Sequence, residues 1–343
     1  MKQLMETLYI LTPDSYVFHR NDNICVSIGG EEKASVPAGR IDAIVFFGKN
    51  TLSTSLILFC GNKGITISFL NEYGRFYGRV CGPVSGNVLL RKRQYDSIND
   101  KHFQQQFVRD ILYGKILNSK NILMRHARNS KEFEQEKENR LRQSAVILGQ
   151  LAIKVSECQD VESMRGIEGA AATSYFQRFD DLLIGVNGFW FETRSRRPPR
   201  NEVNAVLSFL YTQLTHDVRS ALESVGLDPA AGYLHTLRPG RPSFALDMME
   251  ELREALCDRL TITLFNRGQL SAADFEKKTD AVYLNEKGRK KVLTAWRDRK
   301  KEDIMHPFLN EKIKIGMIVH VQAMLFARVL RGDLDRYPPF IWR

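Results

Sequence analysis

Residues up to about 85 consist of short β-branched and aromatic runs separated by polar or glycine-rich turns. This pattern is typical of β-strands. The predicted strands are Leu8–Leu11, Tyr16–Arg20, Ile24–Ile28, Ile41–Phe47, Ile65–Leu70 and Phe76–Val80. Arg20–Asn23 predicts a hairpin turn, and Ser53–Ser55 predicts the cap of one short helix that contains Leu56–Cys60. The first quarter of the chain is therefore predicted to be a β domain.

The hydrophobic period changes after Cys81–Asn87, a stretch rich in turn-forming residues that predicts a linker. Apolar positions then recur every three or four residues as far as about Leu330, which predicts amphipathic helices. Two such stripes are Phe103, Phe107 and Ile111, and Leu141, Ala145, Leu148, Ala152 and Val155. The predicted fold is α+β, with a small β domain over residues 1–88 and a large all-α catalytic domain over residues 89–343.

Composition narrows the class of protein. The chain has 343 residues, of which 43% are hydrophobic and 26% charged, and it lacks an apolar run of about 18 residues, which argues against disorder and against a membrane span. Fifty Lys and Arg against 40 Asp and Glu give a formal charge of +10, which indicates a polyanionic partner. The start has no signal-peptide pattern and the five cysteines are scattered, so we expect a cytoplasmic protein with reduced thiols.

The first candidate for chemistry is Glu168, which stands among glycines and alanines in the segment 165–172. Such small neighbours let a ligand or another backbone approach the carboxylate closely. The alternative is a solvated glutamate on a tightly packed helix, which is the usual state of a lone acid.

A second candidate group follows in residues 232–253, where His235 precedes a Pro- and Gly-rich loop and Ser243 predicts a helix cap. Asp247 and Glu250 are three residues apart, so they share one face of the predicted helix. Two such carboxylates need a cation between them. A divalent ion is one answer, and pairing with Arg253 or Arg241 is the other.

Carboxylates combined with one imidazole form a hard donor set that suits Mg²⁺ or Mn²⁺. Zinc is disfavoured because no thiolate or second histidine accompanies the set. For His235 alone, a structural histidine of the core or of a loop remains an equal alternative.

Basic residues form the third feature. Arg91 begins the run Arg91–Arg93, and Lys290 belongs to a longer basic stretch over residues 287–301. A further cluster comprises Arg194, Arg196, Arg197 and Arg200. Such clusters neutralise nucleic-acid phosphates, although single lysines usually serve only solubility.

Several separated segments, taken in order, resemble the CRISPR-associated integrase and endonuclease family, the first numbered of the CRISPR-associated proteins. They are Gly86–Val88 with Arg91, Gln94 and Tyr95; Gly166–Gly169; Arg197–Pro199 with Asn204; His235 with Arg238–Ser243 and Asp247–Glu250; and Arg331–Leu334 with Tyr337–Phe340. The segments cover almost the whole chain. The Pro-Gly-Arg-Pro-Ser loop is most similar to the subtype I-C branch.

The resemblance implies roles for individual residues. Glu168, His235 and Glu250 would hold the catalytic metal, Mg²⁺ or Mn²⁺, with Asp247 beside them as an auxiliary acid. Many relatives have aspartate where Glu250 stands, which leaves open whether Asp247 or Glu250 is the direct ligand. Supporting roles would fall to Asn204, Tyr175 and Ser243, and DNA phosphates would lie near Arg238, Arg241, Arg91 and Lys290.

The resemblance also implies an activity and partners. The chain would insert spacer DNA into a CRISPR array by attack of a 3′-hydroxyl on a phosphodiester. It would form a homodimer through its β domain, bind double-stranded DNA, and join the second numbered CRISPR-associated protein. A standalone DNA repair nuclease and a non-catalytic DNA-binding scaffold are the alternatives.

Overall fold

The structure is a computed structural model that describes residues 6–74, 76–83, 87–128, 135–184 and 188–342. The described residues fall into two compact units. The first comprises those of Met1–Ser85 together with Ala272–Glu276 and Tyr283–Arg297, and the second comprises the rest. Residues 84–86 of the predicted linker lie outside the described residues.

The first unit contains two four-stranded sheets. In one sheet the order is β1 (Glu6–Ile10), β5 (Ile41–Phe47), β7 (Thr66–Leu70) and β8 (Phe76–Val80). The first three of these strands are parallel, with Leu8 opposite Ile44 and Ile44 opposite Ile67, and β8 is antiparallel to β7. In the other sheet the order is β4 (Glu31–Pro37), β3 (Asn23–Ile28), β2 (Tyr16–Arg20) and β6 (Thr51–Leu52).

Local signals in this unit agree with the structure. Ser53 caps helix α1 (Thr54–Lys63) by accepting a hydrogen bond from the Leu56 amide, and Asn21 takes a positive φ in the predicted hairpin turn. Strand β4 was not predicted, because its polar and exposed sequence has no hydrophobic face. Its neighbour β3 instead contributes Ile24 and Val26 to the core of this unit.

Helices dominate the second unit. Their bounds are α2 (Val88–Ile98), α3 (Lys101–Arg128), α4 (Gln135–Glu157), α5 (Val161–Phe176), α6 (Glu202–Val225), α7 (Ser243–Met248), α8 (Glu250–Leu252), α9 (Arg259–Asn266), α10 (Glu286–Lys300), whose first part groups with the first unit, and α11 (Ile318–Arg331). A π-helical turn over Arg253–Asp258 joins α8 to α9. No helix in the described part of the chain is long and apolar enough to cross a bilayer.

The mixed α+β class is confirmed, but an all-α catalytic part is not. Four short strands lie in the carboxy-terminal part of the chain: β9 (Phe275–Lys278), β10 (Ala281–Leu284), β11 (Asp303–Met305) and β12 (Lys312–Lys314). They form two two-stranded ribbons. Runs of three or four residues are too short to stand out against the surrounding helical period.

Contacts between aromatic rings hold together the helices and the segment that surround the candidate site. Phe107 on α3 lies with its ring centroid 4.7 Å from that of Phe326 on α11 and 5.1 Å from that of Tyr233. Phe244 on α7 packs against the same Phe326 ring at 4.7 Å. These edge-on and tilted contacts fix α3, α7, α11 and the segment at Tyr233 relative to one another.

Candidate active site

Glu168 lies in the second turn of helix α5. Asp160 begins this helix by accepting a hydrogen bond of 2.8 Å from the Ser163 amide. The neighbouring Gly166 and Gly169 are exposed, with open space where a Cβ would stand. The Glu168 side chain is 28% exposed, so it is reachable from solvent.

Asp247 on α7 holds the backbone of the segment that carries His235. Its Oδ2 accepts hydrogen bonds from the amides of Tyr233 (2.6 Å) and Leu234 (2.9 Å). Its Oδ1 accepts from the His235 amide at 2.8 Å and lies 2.6 Å from His235 Nδ1. Asp247 is fully buried, and both of its oxygens are engaged by this segment.

Gly232 makes that arrangement possible. A Cβ at this position would lie 2.8 Å from Asp247 Oδ2 and 2.7 Å from the Ser243 carbonyl carbon. Only glycine lets the backbone come close enough for the amides that follow to reach the buried carboxylate.

Glu250 on α8 forms ion pairs with two cationic side chains. Its oxygens lie 2.8 and 2.9 Å from Arg253 Nη1. Its Oε2 also accepts a hydrogen bond of 2.7 Å from Lys115 Nζ, and the same ammonium donates to Glu168 Oε1. Two carboxylates from different helices therefore converge on one buried cation.

The His235 ring completes this group. Because Asp247 engages Nδ1, the other ring nitrogen, Nε2, faces Glu250 Oε1 at 3.8 Å. As the described side chains stand, no three His, Cys, Asp or Glu residues enclose a metal ion; Glu168 and Glu250 enclose the Lys115 ammonium instead. Two carboxylates that already share a cation, with a free imidazole nitrogen beside them, are a donor set that fits Mg²⁺ or Mn²⁺.

Charges in the group act on its pKa values. Burial alone would raise the pKa of Glu250, but Arg253 and Lys115 outweigh burial and lower it to about 2. Burial likewise disfavours the charged Lys115, yet Glu250 and Glu168 raise its pKa above the ordinary value. Glu250 and Lys115 are therefore charged throughout the physiological range.

Asn204, predicted as a supporting residue, fastens the segment 193–195. Its Oδ1 accepts from Arg194 Nη1 at 2.8 Å and from the Ser195 amide at 3.0 Å, and its Nδ2 donates to the Thr193 carbonyl. The Arg194 guanidinium also lies 5.2 Å from the ring centre of Tyr211. Arg194 therefore packs inside the molecule, whereas its sequence cluster suggested a phosphate contact.

The Tyr211 ring links this region to Glu250. Arg253, which pairs with Glu250, lies 5.3 Å from the same ring centre, and the Tyr211 hydroxyl donates to Asp258 Oδ1 at 2.8 Å. Tyr175, another predicted supporting residue, is buried on α5; burial raises the pKa of the same Asp258 carboxyl to about 6, and Tyr211 and Tyr175 act against that rise. Tyr211 and Tyr175 are thus both associated with the buried Asp258 carboxyl rather than with Glu168 or Glu250.

Ser243 is the first residue of α7, but it does not cap it as the sequence suggested. The cap position is Pro242, with no side-chain hydrogen bond to the helix. The Ser243 hydroxyl donates instead to the Thr236 carbonyl at 3.1 Å. Ser243 therefore ties down the loop that carries Arg238 and Arg241.

The four basic residues predicted to contact DNA are distributed over both units. Arg238 is exposed and Arg241 half-buried in the loop that follows His235, and Arg91 is half-buried on α2. Lys290 is exposed on α10, within the part of that helix that belongs to the first unit. Of these residues, only Arg238 and Arg241 lie in the loop that follows a candidate ligand.

Sequence reasoning missed Lys115. It follows Phe103, Phe107 and Ile111 at the same four-residue spacing, so a lysine stands on a buried apolar face. A charge in that position needs a buried partner of opposite sign, and this signal could have linked α3 to the candidate acids.

The sequence of the chain is similar to that of known proteins. Residues 8–298 match the family model described as "CRISPR associated protein Cas1". Over the full length of both chains, the protein is 44% identical to the CRISPR-associated endonucleases Cas1 1 of Chlorobaculum tepidum and Cas1 2 of Rhodospirillum rubrum.

Solved structures share the fold. A CAS1 protein from Thermotoga maritima superposes with a TM-score of 0.82 at 24% identity, covering 96% of this chain and 97% of that one. A casposase bound to its integration product gives a TM-score of 0.84 at 19% identity, covering 99% and 95% of the two chains. At these identities the likeness concerns the fold alone.

Proposed function

We propose, from the premise that this chain belongs to the Cas1 family of CRISPR-associated proteins, that it is a metal-dependent DNA endonuclease and integrase. It inserts new spacer DNA into a CRISPR array by attack of a 3′-hydroxyl on a phosphodiester. The observation that carries this proposal is the convergence of Glu168 and Glu250 on one cation, with His235 Nε2 facing Glu250 at 3.8 Å.

In this proposal Glu168, His235 and Glu250 hold Mg²⁺ or Mn²⁺. When bound, such an ion polarises a phosphodiester and stabilises charge on its oxygens. We assign Asp247 to the orientation of His235 rather than to the ion, since both of its oxygens are engaged by residues 233–235. A carboxylate behind a metal-binding histidine is a common way to fix the ring and its tautomer.

The chain's own residues do the remaining work. His235 uses Nδ1 for Asp247, which leaves only Nε2 and makes the ring a ligand rather than a general base. Arg238 and Arg241, in the loop after His235, hold phosphates of the DNA. Asn204, Tyr175 and Ser243 keep the surrounding segments in place.

The proposed partners follow from the charge and the family. The net charge of +10 suits double-stranded DNA. We further propose a homodimer and an assembly with the second numbered CRISPR-associated protein; a chain of similar fold occurs in a solved Cas6-RT-Cas1–Cas2 complex. Cytoplasmic location and the subtype I-C assignment, which rests on residues 239–243, remain predictions.

The test is strand transfer of a duplex with free 3′-hydroxyl ends into a plasmid, with and without Mn²⁺, using the full chain and its small partner protein. We expect joined products that need the metal and that disappear in Glu168→Ala and His235→Ala. Lys314→Met, which removes a lysine paired with Asp303 at 2.7 Å outside the predicted basic clusters, is the control and should retain activity.

Other outcomes point elsewhere. Cleavage without joining, even with the partner protein present, would indicate a standalone repair nuclease. DNA binding that neither substitution changes, with no chemistry at all, would indicate a scaffold.

A further inference from the structure

Lys115 occupies the place between two proposed metal ligands. Its ammonium donates to Glu168 Oε1 and, at 2.7 Å, to Glu250 Oε2. The Lys115 side chain is only 8% exposed. A buried charge of this kind is held by its partners and cannot simply turn into solvent.

A divalent ion held by Glu168 and Glu250 would compete for the carboxylates that now bind the ammonium. Two cations a few ångströms apart repel strongly in a site with little water. The metal and Lys115 therefore cannot both occupy this position, and the ammonium has to move when the metal enters.

The structure offers a second acceptor for the displaced ammonium. Glu254 lies one helical turn beyond Glu250, is 3% exposed, and its Oε2 has no hydrogen-bond partner among the described residues. Burial raises the pKa of Glu254 to about 8, the Lys115 charge acts against that rise, and Glu254 in turn helps to raise the pKa of Lys115. The four-carbon lysine stem is flexible, so the ammonium can change direction without movement of the helix.

We propose that Lys115 is a displaceable internal cation, which bridges Glu168 and Glu250 in the metal-free protein and moves to Glu254 when a divalent ion binds. The inference deepens the proposed function and rests on its metal site. It explains how two carboxylates can face each other before metal arrives, and why an unpartnered carboxylate is buried beside them.

The test is a calorimetric Mn²⁺ titration of the full chain. Lys115→Met removes the competing cation, so its dissociation constant for Mn²⁺ should fall by about tenfold, within the usual range of coupling between two ligands. Its melting temperature without metal should also fall, and the rise on adding Mn²⁺ should exceed that of the wild type. Lys314→Met should bind Mn²⁺ like the wild type.

Glu254→Gln tests the second position. It should bind Mn²⁺ several-fold more weakly, because the displaced ammonium then has no carboxylate to receive it. In a Lys115→Met background the same Glu254→Gln substitution should have no effect, since no ammonium is displaced; the double-mutant cycle isolates this coupling. An effect of equal size in both backgrounds would overturn the role of Glu254.

Failure of the inference and failure of the metal site give different results. If Glu168→Gln and His235→Asn weaken Mn²⁺ binding but Lys115→Met does not tighten it, only the displacement is wrong. If neither Glu168→Gln nor His235→Asn affects Mn²⁺ binding, the proposed metal site itself is wrong. Should Lys115→Met fail to fold, a crystal structure of the wild type with Mn²⁺ decides: an ammonium still bound to Glu168 and Glu250 contradicts the proposal.

Discussion

Glu250 and Glu251 are consecutive buried glutamates that serve two different regions. Glu250 belongs to the charged cluster, which comprises Lys115, Glu168, His235, Glu250 and Arg253. Glu251 belongs to the tail anchor, which comprises Asn118, Glu251, Gln322, Tyr337 and Phe340. In the charged cluster, Glu250 meets Arg253 and Lys115 within 2.9 Å.

The tail anchor uses neutral donors instead. Glu251 Oε1 accepts from the Tyr337 hydroxyl at 2.5 Å and from Gln322 Nε2 at 2.9 Å, and Oε2 accepts from the Phe340 amide at 2.7 Å. Asn118 Nδ2 donates to the carbonyls of Glu251 and Phe340, each at 2.7 Å. The chain's last described residues are thereby fixed to α3 and α8.

The two environments move the two pKa values in opposite directions. Arg253 and Lys115 outweigh burial and lower the pKa of Glu250 to about 2. For Glu251, burial outweighs its hydrogen bonds and raises the pKa to about 7, with Asp110 adding to the rise. A carboxylate that must receive a cation is kept ionised by cations, whereas one that anchors a chain segment can be neutral.

Glu250→Gln should break the charged cluster and cause the largest change. Lys115 and Arg253 would remain buried with one carboxylate fewer, which should cost about 3 to 5 kcal/mol in free energy of unfolding. Strand transfer should fall to background. Urea denaturation measures the first effect, and Glu138→Gln, which removes a half-buried partner of the exposed Arg142 side chain, should cost less than about 1 kcal/mol. Equal losses in the two variants would contradict the comparison.

Glu251→Gln should change how stability depends on pH. Because the folded pKa of Glu251 lies near 7, above the ordinary value, the folded state binds the proton more tightly. Its contribution to stability is present below about pH 4.5 and is lost as the pH rises toward and through 7, by about 3 kcal/mol in total. The variant lacks this loss. Its free energy of unfolding should therefore increase relative to that of the wild type between pH 5 and 8.

Urea denaturation in EDTA at several pH values measures this gain. Glu311→Gln, an exposed carboxylate, controls for the loss of one charge. If the free energies of unfolding of wild type and Glu251→Gln change in parallel with pH, the fold does not raise the pKa of Glu251.

Gly114→Ala should loosen the tail anchor and cause the smallest change. A Cβ at Gly114 would lie 2.7 Å from Pro339 Cβ and 3.5 Å from Glu251 Cβ. We expect a loss of about 1 to 3 kcal/mol from overpacking, despite the better helix propensity of alanine. In Gly149→Ala the new Cβ meets only the end of Lys120 at 3.4 Å, so stability should hold or rise by up to about 1 kcal/mol. If both variants are equally stable, the tail is not tightly packed on α3.

Much of the fold could be predicted because its signals are local. The strand runs, the hairpin turn at Asn21 and the cap at Ser53 each depend on neighbours within a few residues. Strand β4 escaped prediction because it lacks an apolar face, and the strands β9 to β12 escaped because they are short.

For the candidate site, residue types were visible but partners were not. Glu168 and His235 stood out beside glycines and prolines, and Arg253 was recognised as one possible partner of the acids. Lys115 and Glu168 are 53 residues apart, and Glu251 and Phe340 are 89 apart. No spacing rule connects such positions; only the packing of α3 against α5, α8 and the tail brings them together.

One helix, α3, carries both Lys115 and Asn118, a single turn apart. This arrangement matters for genetics. In a random screen for lost spacer acquisition, substitutions at Tyr337 or Phe340 would be recovered together with those at Glu250, although they lie far from it in sequence. Such alleles would be read as lost contacts with a partner protein unless the abundance and stability of each variant are measured first.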